Sequence, residues 1–348
     1  MRLTNLAIPA PAVIAAGALA VSLVMPLRAP QAQQQTYFMK LSTPTIHDIP
    51  DTWATNFGEA VKKDSGGRID FKVYPASQLG SIPRQIEGTQ FGSIQCEVVP
   101  PEFMVGLDPR FEVMAAPGLV DSQEHGQRVA ADPEVIKLML SLGTNKGLHG
   151  VGLFMAEQSH IISRMPLRTL ADFKGKKIRI FASQFQSEAF QRLGVTPVAM
   201  SLGDVLPAIQ QGAIDGADTG IGPIANFHMA DAAKYATDTG QPAIFIVAVV
   251  NKQWYDSLPK DLQDIVDRDG AAQSLAINAF AVQSIKESKA SFTAAGGELI
   301  KLPPADQAAM MKTISSVAPD VSQKDPQLAA AYRIVADAAA RTRRPPTQ

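Results

Sequence analysis

The chain has 348 residues, 46% of them hydrophobic and 19% charged, a balance that supports a large packed core and excludes an intrinsically disordered protein. Its 32 basic and 33 acidic residues include no long basic run, which excludes a nucleic-acid-binding surface. The length suits two or three domains, or two lobes sharing one function.

In chain order, Arg2 is followed by an uncharged stretch from Leu3 to Leu27, rich in Ala, Val, Leu and Ile, and then by Arg28 and "APQAQQQ". A basic start, an apolar run and small residues at its end read as a secretory signal peptide over residues 1–32, cleaved near Ala32. The alternative is a retained membrane anchor, since the stretch is long enough to span a bilayer. Pro9, Pro11 and Pro26 shorten its helical part, and the polar linker after it favours cleavage. The single cysteine, Cys96, lies within the apolar "SIQCEVV" and reads as a small buried hydrophobe. Export without disulfides suits a bacterial periplasmic protein large enough to be held together by its core.

"QTYFMKLST" (35–43) then predicts a strand. "DTWATNFGEAVKKDSGG" carries Trp53, Phe57, Ala60 and Val61 at helical spacing and stops at Gly66–Gly67. In "RIDFKVYP", Ile69, Phe71 and Val73 alternate with polar residues, a half-buried strand closed by Pro75. "IPRQIEGTQFG" predicts a second helix and "SIQCEVV" a short strand, so this order implies a parallel sheet with helices packed on it.

The pattern recurs. "LADFKGKKIRIFAS" gives a strand, "QFQSEAFQRLG" a helix ending at Gly194, "VTPVAM" a strand, "SLGDVLPAIQQG" a helix and "AIDGAD" a short strand. The segments "TQFGSIQC" (89–96) and "IQQGAIDG" (209–216) share a helix end, a glycine and a following Ile, which implies two similar α/β lobes. "PAIFIVAVVN" (242–251) is a continuous apolar run, suited to a strand covered on both faces. Residues from about Pro259 to Ala295 predict one unusually long helix, capped by Ser257 and ended by Gly296–Gly297. The end of the chain, "ARTRRPPTQ", reads as a frayed tail.

Four segments, "SGGRIDFKVYPASQLGS", "MPLRTLADFKGKKIRI", "LGVTPVAMSLGDVLPAIQQGAIDGADTG" and "NKQWYDSLPKDLQDIV", together resemble the periplasmic solute-binding subunit of TRAP transporters, the DctP-like receptors. The resemblance runs from roughly 36 to 300 and is most specific from Leu170 to Asp218. It implies a two-lobed periplasmic-binding-protein-like α/β fold, mostly parallel sheets flanked by helices, with the long helix spanning both lobes. Lobe one would comprise 36–155 plus 245–286, lobe two 156–244 plus 287–330, and 331–348 would be a tail. The function it implies is capture of a small organic acid in an interlobe cleft and delivery to integral-membrane TRAP permease subunits, with no catalysis and no cofactor.

The resemblance also implies site residues. By pattern alone, Arg179 in the strand "GKKIRIFAS" is either a solvated strand residue or a fixed charge awaiting an anion. The family places its ligand-carboxylate arginine at this position, a role that suits a planar guanidinium. The family's second arginine, about twenty residues earlier, has no counterpart: the aligned positions are Gln158 or Ser159, where Gln158 and His160 could donate hydrogen bonds instead. A monocarboxylate is therefore expected over a dicarboxylate. The family's "D-G-x-E-N-P" is "DGADTG" here, so Thr219 replaces an asparagine and Gly220 a proline. Thr219 is a candidate ligand contact or a turn residue. Pro100 is expected in an apolar cleft wall, and Phe181 and Ser183 on its floor. Ser201 and Asp204 have capping-box-like spacing, and Pro207 predicts a kink within its helix.

Other readings are weaker. "ADTG" and "TDTG" look like aspartic-protease signatures, but Asp218 and Asp238 are too close in sequence to come from two converging lobes. His47, His125, His149, His160 and His228 show no metal-ligand spacing, and "TGIGPI" lacks the lysine of a phosphate loop. A receptor serving a signalling system rather than a permease fits the sequence equally well.

Overall fold

A computed structural model describes Ala7, Ala10 and residues 35–344 of the chain. The expected signal peptide therefore lies outside the described residues, those two alanines apart. The elements follow in chain order. Strand β1 (Tyr37–Ser42), helix α1 (Ile49–Asp64), β2 (Ile69–Tyr74), α2 (Ile82–Gln90) and β3 (Cys96–Val99) match the first predicted unit. Helices α3 (Gln123–Ala130) and α4 (Pro133–Ser141) then lead into a long strand, β4 (Leu148–Ser163). Next come β5 (Lys177–Ile180), α5 (Gln184–Arg192), β6 (Thr196–Ala199), α6 (Val205–Gln210), β7 (Gly216–Thr219) and α7 (Ile221–Asn226). The chain closes with β8 (Tyr235–Asn251), α8 (Lys252–Ser257), α9 (Lys260–Ala294), β9 (Glu298–Lys301), α10 (Pro304–Ile314), α11 (Val317–Ser322) and α12 (Pro326–Thr342).

The strands form one mixed sheet in the order β2-β1-β3-β8-β4-β7-β5-β6, with β9 also on β8. The outer pairs are parallel, as expected, but β3–β8, β8–β4 and β4–β7 are antiparallel. The sheet is built around the β4–β8 ribbon, paired from Leu148↔Asn251 to Ser163↔Tyr235. One end of that ribbon carries β3, β1 and β2; the other carries β7, β5, β6 and β9. Along β8, Phe245, Val247 and Val249 join one apolar core while Ile244, Ile246 and Ala248 join another. This is period-two burial on both faces and explains the uninterrupted apolar run. Trp53 anchors the second core, stacked on Phe57 at 4.8 Å and on Phe154 at 5.5 Å.

The paired glycines behave alike. Gly92 and Gly212, before β3 and β7, have φ of 85° and 72°, the left-handed conformation that ends a helix without a Cβ clash.

Four expectations fail. Ser257 does not cap the long helix: its hydroxyl donates to the Trp254 carbonyl, ending α8, and α9 starts after Pro259 with no side-chain cap. Ser201 and Asp204 form no capping box, because the chain there makes a 3₁₀ turn before α6. Pro207 produces no mid-helix kink, since α6 begins only at Val205 and the proline sits in its first turn, where an N–H has no intrahelical acceptor. The boundary at 331 cuts through α12, which is a docked helix rather than a tail. It buries Ala331, Val335, Ala338 and Ala339, and Arg341 pairs with Asp132 at 2.6 Å.

Candidate functional site

Strand β5 lies between β6 and β7, with Arg179 opposite Val198 and Ala217. Arg179 is only 1% exposed. Its Nε donates to the Met200 carbonyl at 3.0 Å and its Nη1 to the Asp218 carbonyl at 2.8 Å. Its guanidinium carbon lies 4.6 Å from the Phe181 ring centroid and 5.8 Å from that of Phe103. These contacts fix the guanidinium plane, and Nη2 has no hydrogen-bond partner among the described residues. Burial lowers its pKa to about 10, opposed by the nearby carboxyls of Asp218 and Glu102, so it is cationic at neutral pH.

Behind it lie buried acids. Asp218 accepts from the Ser159 hydroxyl and from Gln186 Nε2, and burial pushes it up to about 7. Both carboxyl oxygens of Glu102 are buried without a partner, and burial pushes this group up to about 8. Glu112 accepts from Ser183 Oγ and from the backbone N–H groups of Gln184 and Phe185, compensating the positive end of α5.

In front of Arg179 lies a narrow cleft with a cavity volume of about 40 Å³. Arg179, Thr219, Phe181 and Pro100 all line it, so four of the seven candidate residues converge. The other three do not. Gln158 lines a different cavity, where it donates to the Gly240 carbonyl at 3.2 Å. Ser159 is buried against Asp218, and Ser183 caps α5 by accepting from the Gln186 N–H. His160 hydrogen-bonds the Gln158 carbonyl through Nδ1 and leaves Nε2 buried and unpartnered.

Among the cleft residues the sequence reading missed are two acids, Asp48 and Glu157. Strand β4 has register shifts at Met155/Glu157 and Gln158/His160. The shifts let the consecutive residues Ala156 and Glu157 both reach the cleft, which a regular strand forbids. Glu157 Oε2 accepts from the Ile221 N–H at 2.7 Å and Oε1 from the Gly222 N–H at 3.2 Å. A Cβ at Gly220 would collide with Glu157 Oε1. The glycine at this position and the acid at 157 are therefore sterically coupled. Asp48 precedes α1 and caps it, its Oδ1 accepting from the Asp51 N–H at 3.2 Å and from Thr45 Oγ1 at 2.8 Å. The "HDIPD" spelling signals a helix start but not a cleft.

A recessed, oriented guanidinium facing a mostly apolar cleft has the chemistry to hold an anion, and the fold and this site are those of a solute-binding protein. The profile of bacterial extracellular solute-binding proteins of family 7, DctP, matches residues 46–325, and the chain belongs to that family. It is a DctP-like solute-binding protein of the TRAP type and not an enzyme. It is 26% identical over 319 residues to the C4-dicarboxylate-binding periplasmic protein DctP of Rhodobacter capsulatus, across 90% of this chain and 93% of that one. It is 28% identical over 211 residues to the uncharacterized protein YiiZ of Salmonella typhimurium, matching 60% of this chain and 64%, just under two thirds, of that protein. A TRAP periplasmic solute-binding protein of Desulfovibrio salexigens, solved with bound orotic acid, superposes with a TM-score of 0.83 at 22% identity, covering 88% of this chain and all of that one.

Proposed function

We propose that the chain is a periplasmic receptor that captures a small organic acid by one carboxylate on Arg179 and presents it to TRAP-type permease subunits in the membrane. The observation that carries this reading is the guanidinium itself, buried, held in plane by two carbonyls and an aromatic face, with one nitrogen free at the cleft. Pairing there replaces lost hydration with charge-assisted hydrogen bonds in a poorly screened site. The Desulfovibrio salexigens structure holds an aromatic monocarboxylate, orotic acid, whereas the Rhodobacter capsulatus protein binds C4-dicarboxylates. A monocarboxylate suits this chain better, because among the described residues Arg179 is the sole basic one lining the cleft, so a second carboxylate would find no second cation there.

The sheet supports a two-lobe binding cycle. In this reading lobe one takes in 36–155 and 245–286 and lobe two 156–244 and 287–330, while α12 packs back on α3 and α4 of lobe one. The boundary falls among the β4 register shifts, where the ribbon can bend. Arg179 and Thr219 on the second lobe bind first, and contacts from Pro44, Pro100 and Phe103 on the first favour closure.

Calorimetry tests this with orotate and succinate against the wild type, Arg179→Lys and Arg179→Ala. The best-bound acid should lose about tenfold in Arg179→Lys, which keeps the charge but not the fork, and about 100-fold or more in Arg179→Ala. Unchanged affinity in a folded Arg179→Ala protein defeats the assignment. Tighter binding of succinate than of any monocarboxylate defeats the preference alone.

A further inference from the structure

We infer that the cleft selects acids that also carry a protonated nitrogen, with Arg179 taking the carboxylate and the Asp48–Glu157 pair taking the cationic end. This rests on the carboxylate reading of Arg179 above. The cleft is bipolar: among the described residues, Arg179 and the two carboxyls are its only ionisable lining residues, and its other polar side chains are Thr45 and Thr219. The rest of its wall is mostly apolar, including Pro50, Ile82, Phe103, Phe181, Pro223 and Ile246.

Each pole has an unused group. Arg179 Nη2 has no partner among the described residues. Asp48 is 2% exposed and lines the cleft, and among the described residues both bonds to its carboxylate go to Oδ1, leaving Oδ2 without one. An oxygen left open to a mostly apolar cleft is satisfied by a ligand donor that reaches it. A second carboxylate on the ligand would find no cation at this end, and a hydrocarbon end would leave the oxygen unsatisfied. A hydroxyl would satisfy it without countering charge, whereas an ammonium, iminium or amidinium N–H does both. Glu157 stands beside Asp48: a Cβ at Gly222 would lie 3.1 Å from Glu157 Oε1 and 3.4 Å from Asp48 Cβ.

The protonation balance agrees. Burial pushes Asp48 up to about 8, helped by repulsion from Glu157 and Asp51, and burial pushes Glu157 up to about 7. Lys289 of α9 opposes the shift of Glu157 but does not line the cleft. The empty cleft thus holds protons at neutral pH that a cationic ligand end displaces.

The test compares matched acids: L-proline and L-pipecolate against tetrahydrofuran-2-carboxylate and cyclohexanecarboxylate, by thermal shift and then calorimetry in buffers of different ionisation enthalpy. The nitrogen-bearing member of each pair should bind about tenfold tighter or better and release protons at neutral pH. Asp48→Asn keeps the helix cap, and there the preference should fall to near parity. Glu157→Gln should reduce the preference in the same direction. Equal or tighter binding of the nitrogen-free acids, with Arg179→Ala still abolishing it, overturns this inference and leaves the carboxylate reading standing. A preference that survives in Asp48→Asn and Glu157→Gln also overturns it. Binding insensitive to Arg179→Ala, or no binding by either series, overturns both.

Discussion

At the scale of single residues, the site depends on a clash avoided. Gly220 has an extended backbone, φ −76° and ψ 160°, that any residue adopts, so its lack of a side chain matters only for space. The space is taken by Glu157, whose carboxylate stands where a Cβ would be. Gly220→Ala should therefore destabilise the protein by about 1–3 kcal/mol through overpacking. Glu157→Ala alone should also cost stability, because it strips the N–H groups of Ile221 and Gly222 of their acceptor. The double variant should lose less than the two single losses combined, since removing the carboxylate vacates the space the new methyl needs. Denaturant unfolding of the four proteins measures this coupling, and strict additivity would show that the two positions do not compete.

At the scale of elements, α9 runs 35 residues, about 50 Å at 1.5 Å per residue, and packs on β4, α1 and α7. It approaches β4 closely because its buried face is small. A Cβ at Gly270 would collide with the Val151 carbonyl, and Ser274, Ala281, Ser284 and Ser288 continue the same face. Helix propensity alone says that Gly270→Ala gains about 1 kcal/mol. The collision is with backbone, which cannot rotate away, so the variant should instead lower the melting temperature. Truncation after residue 330 should destabilise more severely. It removes most of α12, the Arg341–Asp132 ion pair and the Ala339 carbonyl that bonds His125 Nε2. A truncated protein that melts like the full chain would restore the reading of this segment as a tail. The parts of the fold legible in the sequence were those with one clean period, such as α1 around Trp53 and Phe57, or β8 with its apolar run. Strand β4 was not legible, because Glu157, Gln158 and His160 interrupt its apolar residues and its register shifts break the alternation that identifies a strand. The site divided in the same way. Arg179 stood out through the segments around it, whereas Asp48 looked like a helix cap and Glu157 was displaced into the cleft by an irregularity that no local pattern encodes.

At the scale of the whole molecule, the notable balance is between buried acids and one buried cation. Asp48, Glu102, Glu157 and Asp218 are all pushed up by burial, to about 8, 8, 7 and 7, and Glu97 is pushed well above its ordinary value. Each raised carboxyl holds a proton in the folded state that the unfolded chain has already released. Stability from these groups is therefore present at mildly acid pH and is lost as pH rises, from the ordinary carboxyl range near 4.5 up to about 8. The slope is about 1 kcal/mol per pH unit for each proton so held. Two effects oppose it. His160 is pushed down by burial, so charging it costs stability as pH falls below its ordinary value. The exposed carboxyls of Asp70, Asp172, Asp261 and Asp320 are held low by their partners and act only at still lower pH. Several acids outweigh one histidine, so the ligand-free protein should melt several degrees higher at pH about 5.5 than at about 8. Glu102→Gln removes a group with no hydrogen-bond partner at either oxygen, and together with Asp48→Asn it should flatten that profile. Saturation with a cation-bearing acid should flatten it as well, because Asp48 and Glu157 then stay charged in the folded state. A ligand-free melting temperature that rises steadily from pH 5.5 to 8 would mean that these carboxyls are solvated and that the cleft is open to water.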